Sequence, residues 1–124
     1  MNKIEIIELA KSLGISNEDF VMLSSSGLVI RDILENAGDL DIAVTQKGLE
    51  ELHKKYSLKQ KDNGWYIVND NVECVLDDME GKKEKIGEFY LHEINDYLDY
   101  LESSNREKDK LRIPLVKEYI GRTK

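Results

Sequence analysis

Two aspartates lie one residue apart in the segment Gly38-Asp39-Leu40-Asp41-Ile42, which continues into an apolar run. On a β-strand, residues i and i+2 project from the same face, so the carboxylates of Asp39 and Asp41 are expected side by side. Leu40 and Ile42 would then point to the opposite face. Two neighbouring carboxylates repel each other unless a cation lies between them, and Mg²⁺ bound together with substrate phosphates suits this arrangement. The pattern is short and common, and it equally fits the polar face of an amphipathic strand.

The strand that would carry these aspartates follows another strand, a small-residue turn and a short helix. Residues 20–23 form a short apolar run typical of a buried strand. Residues 24–27, Ser-Ser-Ser-Gly, predict a tight turn, and the apolar pattern of residues 28–34 predicts a short helix with a serine as its N-cap. Residues 39–44 then predict a second strand, so both aspartates lie where that strand begins.

Helices and further strands are predicted on both sides of this unit. An amphipathic helix over residues 3–13 stops at Gly14, and Thr45 caps a helix over residues 46–56. Strands are predicted at 57–60 and 65–68, joined by an Asn-Gly hairpin turn, and at 72–76 and 88–91, on either side of a polar loop at 77–85. Two helices are predicted at 93–102 and 105–120, and Pro114 is expected to kink or split the second of them near Arg112. This order predicts one α+β (α/β-like) domain, residues 1–124, whose small mixed sheet is covered by helices.

The charge of the chain is unevenly distributed. Its 124 residues carry a formal net charge of −7, which argues against broad attraction to nucleic acid or anionic lipid. Residues 106–124 nevertheless contain seven Lys or Arg and three Asp or Glu, a net charge of +4. This basic segment can bind anionic phosphates locally, or it can be the solvated face of a helix.

The sequence predicts neither a membrane span nor secretion. No apolar run approaches the roughly 20 residues that a membrane helix needs. The N-terminus carries acidic residues among its apolar ones, unlike a signal peptide. The single cysteine, Cys74, cannot form an internal disulfide, and its apolar neighbours predict a buried thiol rather than a reactive one. We therefore expect a cytoplasmic protein with no membrane partner.

The strand, the Ser/Gly turn and the Asp-x-Asp pattern together resemble the nucleotidyltransferase superfamily, whose core is shared with polymerase β-like enzymes. The signature of that superfamily is an apolar residue, Gly-Gly or Gly-Ser, a spacer, and then Asp-apolar-Asp/Glu-apolar. The matching residues here are Leu23-Ser24-Ser25-Ser26-Gly27 and, after eleven intervening residues, Asp39-Leu40-Asp41-Ile42. The resemblance covers about residues 20–113 and implies a nucleotidyltransferase-like core.

Two later segments extend the resemblance. Such enzymes place a third carboxylate on a later strand, and Glu73 in Val72-Glu73-Cys74 matches it. Asp77 shares the strand parity of Glu73 and Asp78 is adjacent, so both remain alternatives. The segment Asn105-Arg106-Glu107-Lys108-Asp109 resembles the Arg-x-Lys-Asp of small nucleotidyltransferase-like proteins of abortive-infection and toxin–antitoxin systems.

The resemblance implies a transfer reaction that depends on Mg²⁺. Asp39, Asp41 and Glu73 would bind one or two Mg²⁺ ions, with Glu73 completing the metal site or acting as the base. A nucleoside triphosphate (NTP) would be bound through its phosphates by Ser25, Ser26, Gly27, Arg106 and Lys108. The reaction would move a nucleoside monophosphate to a hydroxyl on a protein, a nucleic-acid end or a small molecule and release pyrophosphate.

Two departures from the family pattern motivate other hypotheses. A serine stands where the family has its first glycine, and Arg31-Asp32 stands where many members have Arg-Gly, which adds negative charge near the predicted phosphate site. One alternative is therefore a catalytically degenerate binding module of the same fold, a partner in a toxin–antitoxin or phage-defence pair. Another is a small α+β domain whose aspartates only solvate a strand. A protein partner or a homodimer is compatible with these readings.

The remaining histidines and aromatic residues form no recognisable site pattern. The two histidines are far apart in sequence and match no metal-ligand spacing: His53 and His92. The aromatic residues of the second half are interpreted as core or half-buried packing residues, without the interleaved basic residues of a single-strand nucleic-acid surface: Trp65, Tyr66, Tyr90, Tyr97 and Tyr100.

Overall fold

The computed structural model describes residues 1–123, which contain five α-helices and a seven-stranded mixed sheet. The helices are α1 (Lys3–Ser12), α2 (Ser24–Ile30), α3 (Gln46–Lys55), α4 (Ile94–Ser103) and α5 (Glu107–Arg122). The strands are β1 (Phe20–Leu23), β2 (Leu40–Val44), β3 (Lys59–Gln60), β4 (Tyr66–Asn69), β5 (Val72–Leu76), β6 (Lys83–Ile86) and β7 (Phe89–His92). The predicted α+β class is confirmed.

Strand β2, which carries Asp41, lies in the middle of the sheet. The strand order is β3-β4-β5-β2-β1-β7-β6. β2 pairs antiparallel with β1 and parallel with β5, and β7 runs parallel with β1. Asp41 consequently lies opposite Leu23 on one side and Glu73 on the other. The predicted Asn-Gly hairpin joins β3 to β4, with Gly64 at a φ of 90°.

The two faces of β2 have different surroundings, as the alternation in the sequence predicts. Leu40 and Ile42 are completely buried in the main core, where apolar side chains of α1 and α3 cover the sheet. Asp41 and Ala43 belong to the opposite face, on which Ala43 joins a smaller apolar cluster. α4 and α5 pack against each other and against Leu28 of α2, so the basic C-terminal helix lies near the segment that leads to β2.

α2 begins four residues earlier than the sequence predicts. Ser24, expected in a tight turn, has a φ of 51° and starts the helix directly after β1. The hydroxyl of Ser26 donates a hydrogen bond to the carbonyl oxygen of Leu23 at 2.7 Å, which satisfies the end of the strand inside the helical turn. The helix ends early because Asp32 has a φ of 63°, and residues 31–39 run as irregular chain to β2.

One further prediction is wrong, and a second is wrong in part. Residues 83–85, expected in a loop, belong to β6, which pairs with β7 across a turn at Gly87 with a φ of 63°. Charged side chains are tolerated there because β6 is the edge strand of the sheet. α5 runs from Glu107 to Arg122 without a break, so Pro114 does not split it. Among the described helices, none combines the length and the apolar character that a bilayer crossing demands.

Candidate functional site

A polar cavity of about 120 Å³ lies between the first turn of α2, the start of β2 and the first half of α5. This charged cavity is lined by hydroxyls, carboxylates and basic side chains around one glycine: Ser24, Ser25, Gly38, Asp39, Asp41, Arg106, Lys108, Asp109 and Arg112. Five of the eight site residues predicted from the sequence therefore meet at one place. The fold brings Asp39, which directly precedes β2, and Asp41 of β2 against the basic residues at the start of α5, although the two segments are far apart in the chain.

Asp41 is the half-buried carboxylate of this cavity. Burial raises the pKa of the Asp41 carboxyl above its ordinary value, and the charges of Glu73 and Asp39 raise that pKa further. The positive charges of Lys108 and Lys61 act in the opposite direction without reversing the shift. Ionised Asp41 is therefore under-compensated by positive charge, which is the electrostatic condition that favours binding of an added cation.

Glu73, the predicted third carboxylate, is a neighbour of Asp41 but is engaged with a lysine. It lies opposite Asp41 in the β2–β5 register, and its Oε1 is 3.0 Å from Nζ of Lys61. Glu73 does not line the charged cavity. Within residues 1–123, no group of three His, Cys, Asp or Glu side chains is arranged to hold a metal ion. The three-carboxylate metal site stays a prediction, and it requires Glu73 to exchange Lys61 for an ion.

The two alternatives for the third carboxylate follow the end of β5. Each accepts a hydrogen bond from the backbone N–H two residues later, at 2.8 Å for Asp77 and 3.0 Å for Asp78. Neither lines the charged cavity, and the charge of neither contributes to the raised pKa of Asp41, whereas that of Glu73 does. The strand register therefore favours Glu73 among the three.

Of the three Ser/Gly residues predicted to bind phosphate, only Ser25 lines the charged cavity. Ser24 lines the cavity as well. Ser26 is completely buried and its hydroxyl already donates to the Leu23 carbonyl, so it does not line the cavity. Gly27 is also outside the cavity lining, and the positive φ of this segment falls at Ser24. A Cβ at Gly27 would meet the Met22 carbonyl oxygen at 3.5 Å, an ordinary contact, so neither close approach nor backbone strain explains this glycine.

Side-chain contacts fix the beginning of α5, the segment that carries the basic side chains of the cavity. Asp109 is only 3% exposed, and its carboxylate accepts a hydrogen bond from the Ser104 hydroxyl at 2.7 Å. The same carboxylate lies 3.9 Å from Nε of Arg106, whose backbone N–H donates to the Ser104 hydroxyl at 3.2 Å. Arg112 donates to the Tyr97 hydroxyl at 3.4 Å, which ties α5 to α4. Arg112 could not be singled out from the sequence, because its place at the cavity depends on how α5 packs.

Arg31 follows the last residue of α2 and lies outside the lining of the charged cavity. Its side chain is 3% exposed and forms an ion pair with Glu84 of β6. The guanidinium also donates to the Tyr119 hydroxyl at 3.1 Å and to the His92 carbonyl oxygen at 3.2 Å. These contacts join the end of α2 to β6, β7 and α5, and α2 and α5 each contribute residues to the charged cavity.

A second cavity, of about 260 Å³, opens beside the first. The side chains that give this aromatic groove its character are Trp65, Asp77, Met79, Tyr97 and Tyr100, and Ser24 lines both cavities. The rings of Tyr97 and Tyr100 stack with their centroids 6.1 Å apart and their planes at 25°. The interpretation of these aromatics as packing residues is therefore incomplete. Sequence reasoning missed the groove because its walls come from separate segments, and only the three-residue spacing of Tyr97 and Tyr100 on one helix hinted at it.

Comparisons with known proteins do not identify a relative. No family model matches the sequence, and neither a curated protein nor a solved structure matches the chain. The function proposed below consequently rests on the motif resemblance and on the geometry of the charged cavity.

Proposed function

We propose that this chain is a minimal nucleotidyltransferase that moves a nucleoside monophosphate from a Mg-bound NTP to a hydroxyl acceptor. One observation carries the proposal: Asp39 and Asp41 line the same small cavity as Arg106, Lys108 and two serine hydroxyls. A pair of carboxylates that faces basic side chains suits a polyphosphate with its cation, because both signs of charge find a partner. The carboxylate pair is also the part of the family signature that the chain preserves best.

The donor set of the cavity fits Mg²⁺ held by two carboxylates. Mg²⁺ commonly binds one or two carboxylates together with substrate phosphates and keeps several waters. Asp39 and Asp41 supply two carboxylates, and the pKa of Asp41 is raised first by burial and then by the negative charges of Glu73 and Asp39, which a cation would neutralise. When bound, the ion would neutralise phosphate charge and polarise the reacting phosphoryl group.

The protein side chains have separate tasks in this reaction. Arg106 and Lys108 bind phosphate oxygens as fixed positive charges, and the Ser25 hydroxyl donates a hydrogen bond to them. The acceptor oxygen forms a bond to the α-phosphorus while the bond from that phosphorus to the bridging oxygen breaks, and pyrophosphate leaves. The proton of the acceptor hydroxyl passes to a carboxylate, for which Glu73 is the candidate once Lys61 has moved away.

Calorimetric titration of Mg·ATP and Mg·GTP into the purified protein tests the proposal. We expect binding of at least one nucleotide, and a loss of about tenfold or more in affinity for Asp39→Asn and Asp41→Asn. Asp99→Asn is the matched control, because Asp99 is an exposed carboxylate on α4 outside both cavities. Release of pyrophosphate from the bound nucleotide gives the chemical readout. If the wild-type protein binds neither Mg·ATP nor Mg·GTP, the proposed function is wrong.

A second candidate is a binding module of the same fold that has lost turnover. The Lys61–Glu73 ion pair favours it, because a lysine satisfies the carboxylate that an active enzyme would need for its metal or its proton. This candidate predicts nucleotide binding or partner binding that persists in Asp41→Asn, with no pyrophosphate released by either protein. Pyrophosphate release that disappears in Asp41→Asn would exclude it.

A further inference from the structure

We propose that the aromatic groove binds the guanine base of the nucleotide whose phosphates occupy the charged cavity. This inference rests on the proposed function and assigns the second half of the same site. It names the base that the protein prefers and the residues that set the preference.

The two cavities are adjacent and share one lining residue. Ser24 lines both of them, and Tyr97 of the groove accepts a hydrogen bond from Arg112 of the charged cavity at 3.4 Å. Together their volumes fall in the range of roughly 300–1,000 Å³ that small-molecule sites occupy. One end of the combined site is charged and the other is aromatic, which is the division of chemistry within a nucleotide.

The groove is suited to a flat ring. Trp65 and Tyr100 are partly exposed at its walls, whereas Tyr97 is only 3% exposed and is held between the rings of His92 and Tyr100. Every nucleobase has a π-face that stacks on aromatic side chains, so these walls supply affinity without distinguishing bases. Met79 adds a polarisable apolar surface next to them.

Asp77 supplies the distinction between bases. Its Oδ1 accepts the backbone N–H of Met79 at 2.8 Å, which fixes the carboxylate at the groove. A carboxylate only accepts hydrogen bonds, and it accepts two parallel ones well. Guanine presents two adjacent donors on one edge, its N1–H and its 2-amino group. The corresponding edge of adenine pairs one donor with an acceptor, which a carboxylate repels.

The chain contains a built-in probe for this binding. Trp65 is its single tryptophan and lines the groove, so its fluorescence reports a ring that stacks there. We titrate guanosine and adenosine, which lack phosphates, and follow Trp65 emission. Guanosine is expected to bind about tenfold more tightly than adenosine. Asp77→Asn is expected to abolish that preference, and Tyr100→Ala, at a side chain that is 45% exposed, to weaken guanosine without unfolding the protein.

Asp78→Asn is the matched control, because Asp78 makes the same kind of backbone hydrogen bond and lines neither cavity. Equal binding of the two nucleosides, or a preference that survives Asp77→Asn, overturns the inference. Its failure can be told apart from failure of the proposed function. If the protein binds Mg-bound inorganic triphosphate in a way that depends on Asp41, but Trp65 emission does not respond to guanosine, only the groove assignment is wrong. If guanosine binds but Asp41→Asn does not change the affinity for Mg·GTP, the groove assignment is supported and the proposed transferase function is contradicted.

Discussion

Asp41 on β2 lies directly opposite Glu73 on β5 in the parallel register of the sheet. Two carboxylates in this relation repel each other, and Asp39 adds a third negative charge near them. Burial raises the pKa of Asp41 most, the charges of Glu73 and Asp39 raise it further, and the charges of Lys108 and Lys61 do not reverse the shift. Ionised Asp41 is therefore unfavourable in the folded sheet, and carboxyl groups with a raised pKa are typical of functional sites.

The first prediction is that Asp41→Asn stabilises the folded protein at neutral pH. A carboxyl whose pKa is raised by folding favours the unfolded state whenever it is ionised in both states. We expect the free energy of unfolding to increase by about 0.5 kcal/mol. This is the scale of the interaction between two like charges that face each other on neighbouring strands. The native carboxyl of Asp41 takes up its proton first as pH falls, so the gain fades towards the ordinary aspartate pKa of about 3.9. Thermal melts of both proteins between neutral and acid pH measure this.

The control for this experiment is Asp99→Asn, which removes an exposed carboxylate from α4. Its effect on the melting temperature should be close to zero at every pH, because exposed substitutions away from special features rarely change stability. A loss of stability in Asp41→Asn that is absent in Asp99→Asn would mean that Asp41 has a compensating partner in the folded chain.

The second prediction concerns Lys61, whose Nζ lies 3.0 Å from Glu73. Both side chains are more than a third exposed, so the pair contributes at most about 1 kcal/mol. Replacement by Lys61→Met releases Glu73, and Mg-dependent nucleotide affinity should rise by about two- to fivefold. Glu73→Gln should lower it, and Lys59→Met, at an exposed lysine of β3, should leave it unchanged. Weaker binding in Lys61→Met would instead show that this lysine contacts the phosphates.

The fold was predictable from the sequence wherever local chemistry and tertiary packing agree. Leu40 and Ile42 are buried because strand alternation and the core select the same face. Thr45 caps α3 as expected, with its hydroxyl accepting the Gly48 N–H at 3.0 Å. β6 was missed because its Lys/Glu composition is that of a loop, and only pairing with β7 makes it a strand. Ser24 was missed as a helix start because a φ of 51° is unusual for serine.

The candidate site was predictable only in part, because several of its residues are brought together by tertiary packing alone. Asp39 and Asp41 are two residues apart at the start of β2, so their short separation in the chain already places both at one end of this strand. Arg112 and Trp65 reach their cavities through the packing of α5 and the hairpin, and neither position has a local signature. The engagement of Glu73 by Lys61 likewise depends on side chains that only the folded sheet brings together.

The third prediction is that Cys74 is chemically inert in the folded protein. The thiol is completely buried, and burial raises its pKa from 9.0 to about 11. At a given pH its thiolate fraction is then about a hundredfold lower than that of an ordinary cysteine. Alkylation at pH 8 should be undetectable in the native state and rapid in guanidinium. Fast modification of the native protein would show that β5 opens locally on the timescale of the assay.

The last prediction compares two helical glycines. A Cβ at Gly48 in α3 would lie 2.8 Å from the Asp19 carbonyl oxygen, which also accepts the Thr45 N–H at 3.0 Å. Gly48→Ala should therefore cost about 1–3 kcal/mol, despite the higher helix propensity of alanine. A Cβ at Gly121 in α5 meets no described atom within 4 Å, so Gly121→Ala should stabilise by up to about 1 kcal/mol. Urea unfolding of both variants measures the contrast, and a stabilising Gly48→Ala would mean that the 3₁₀ turn at Asn17–Asp19 moves freely away from α3.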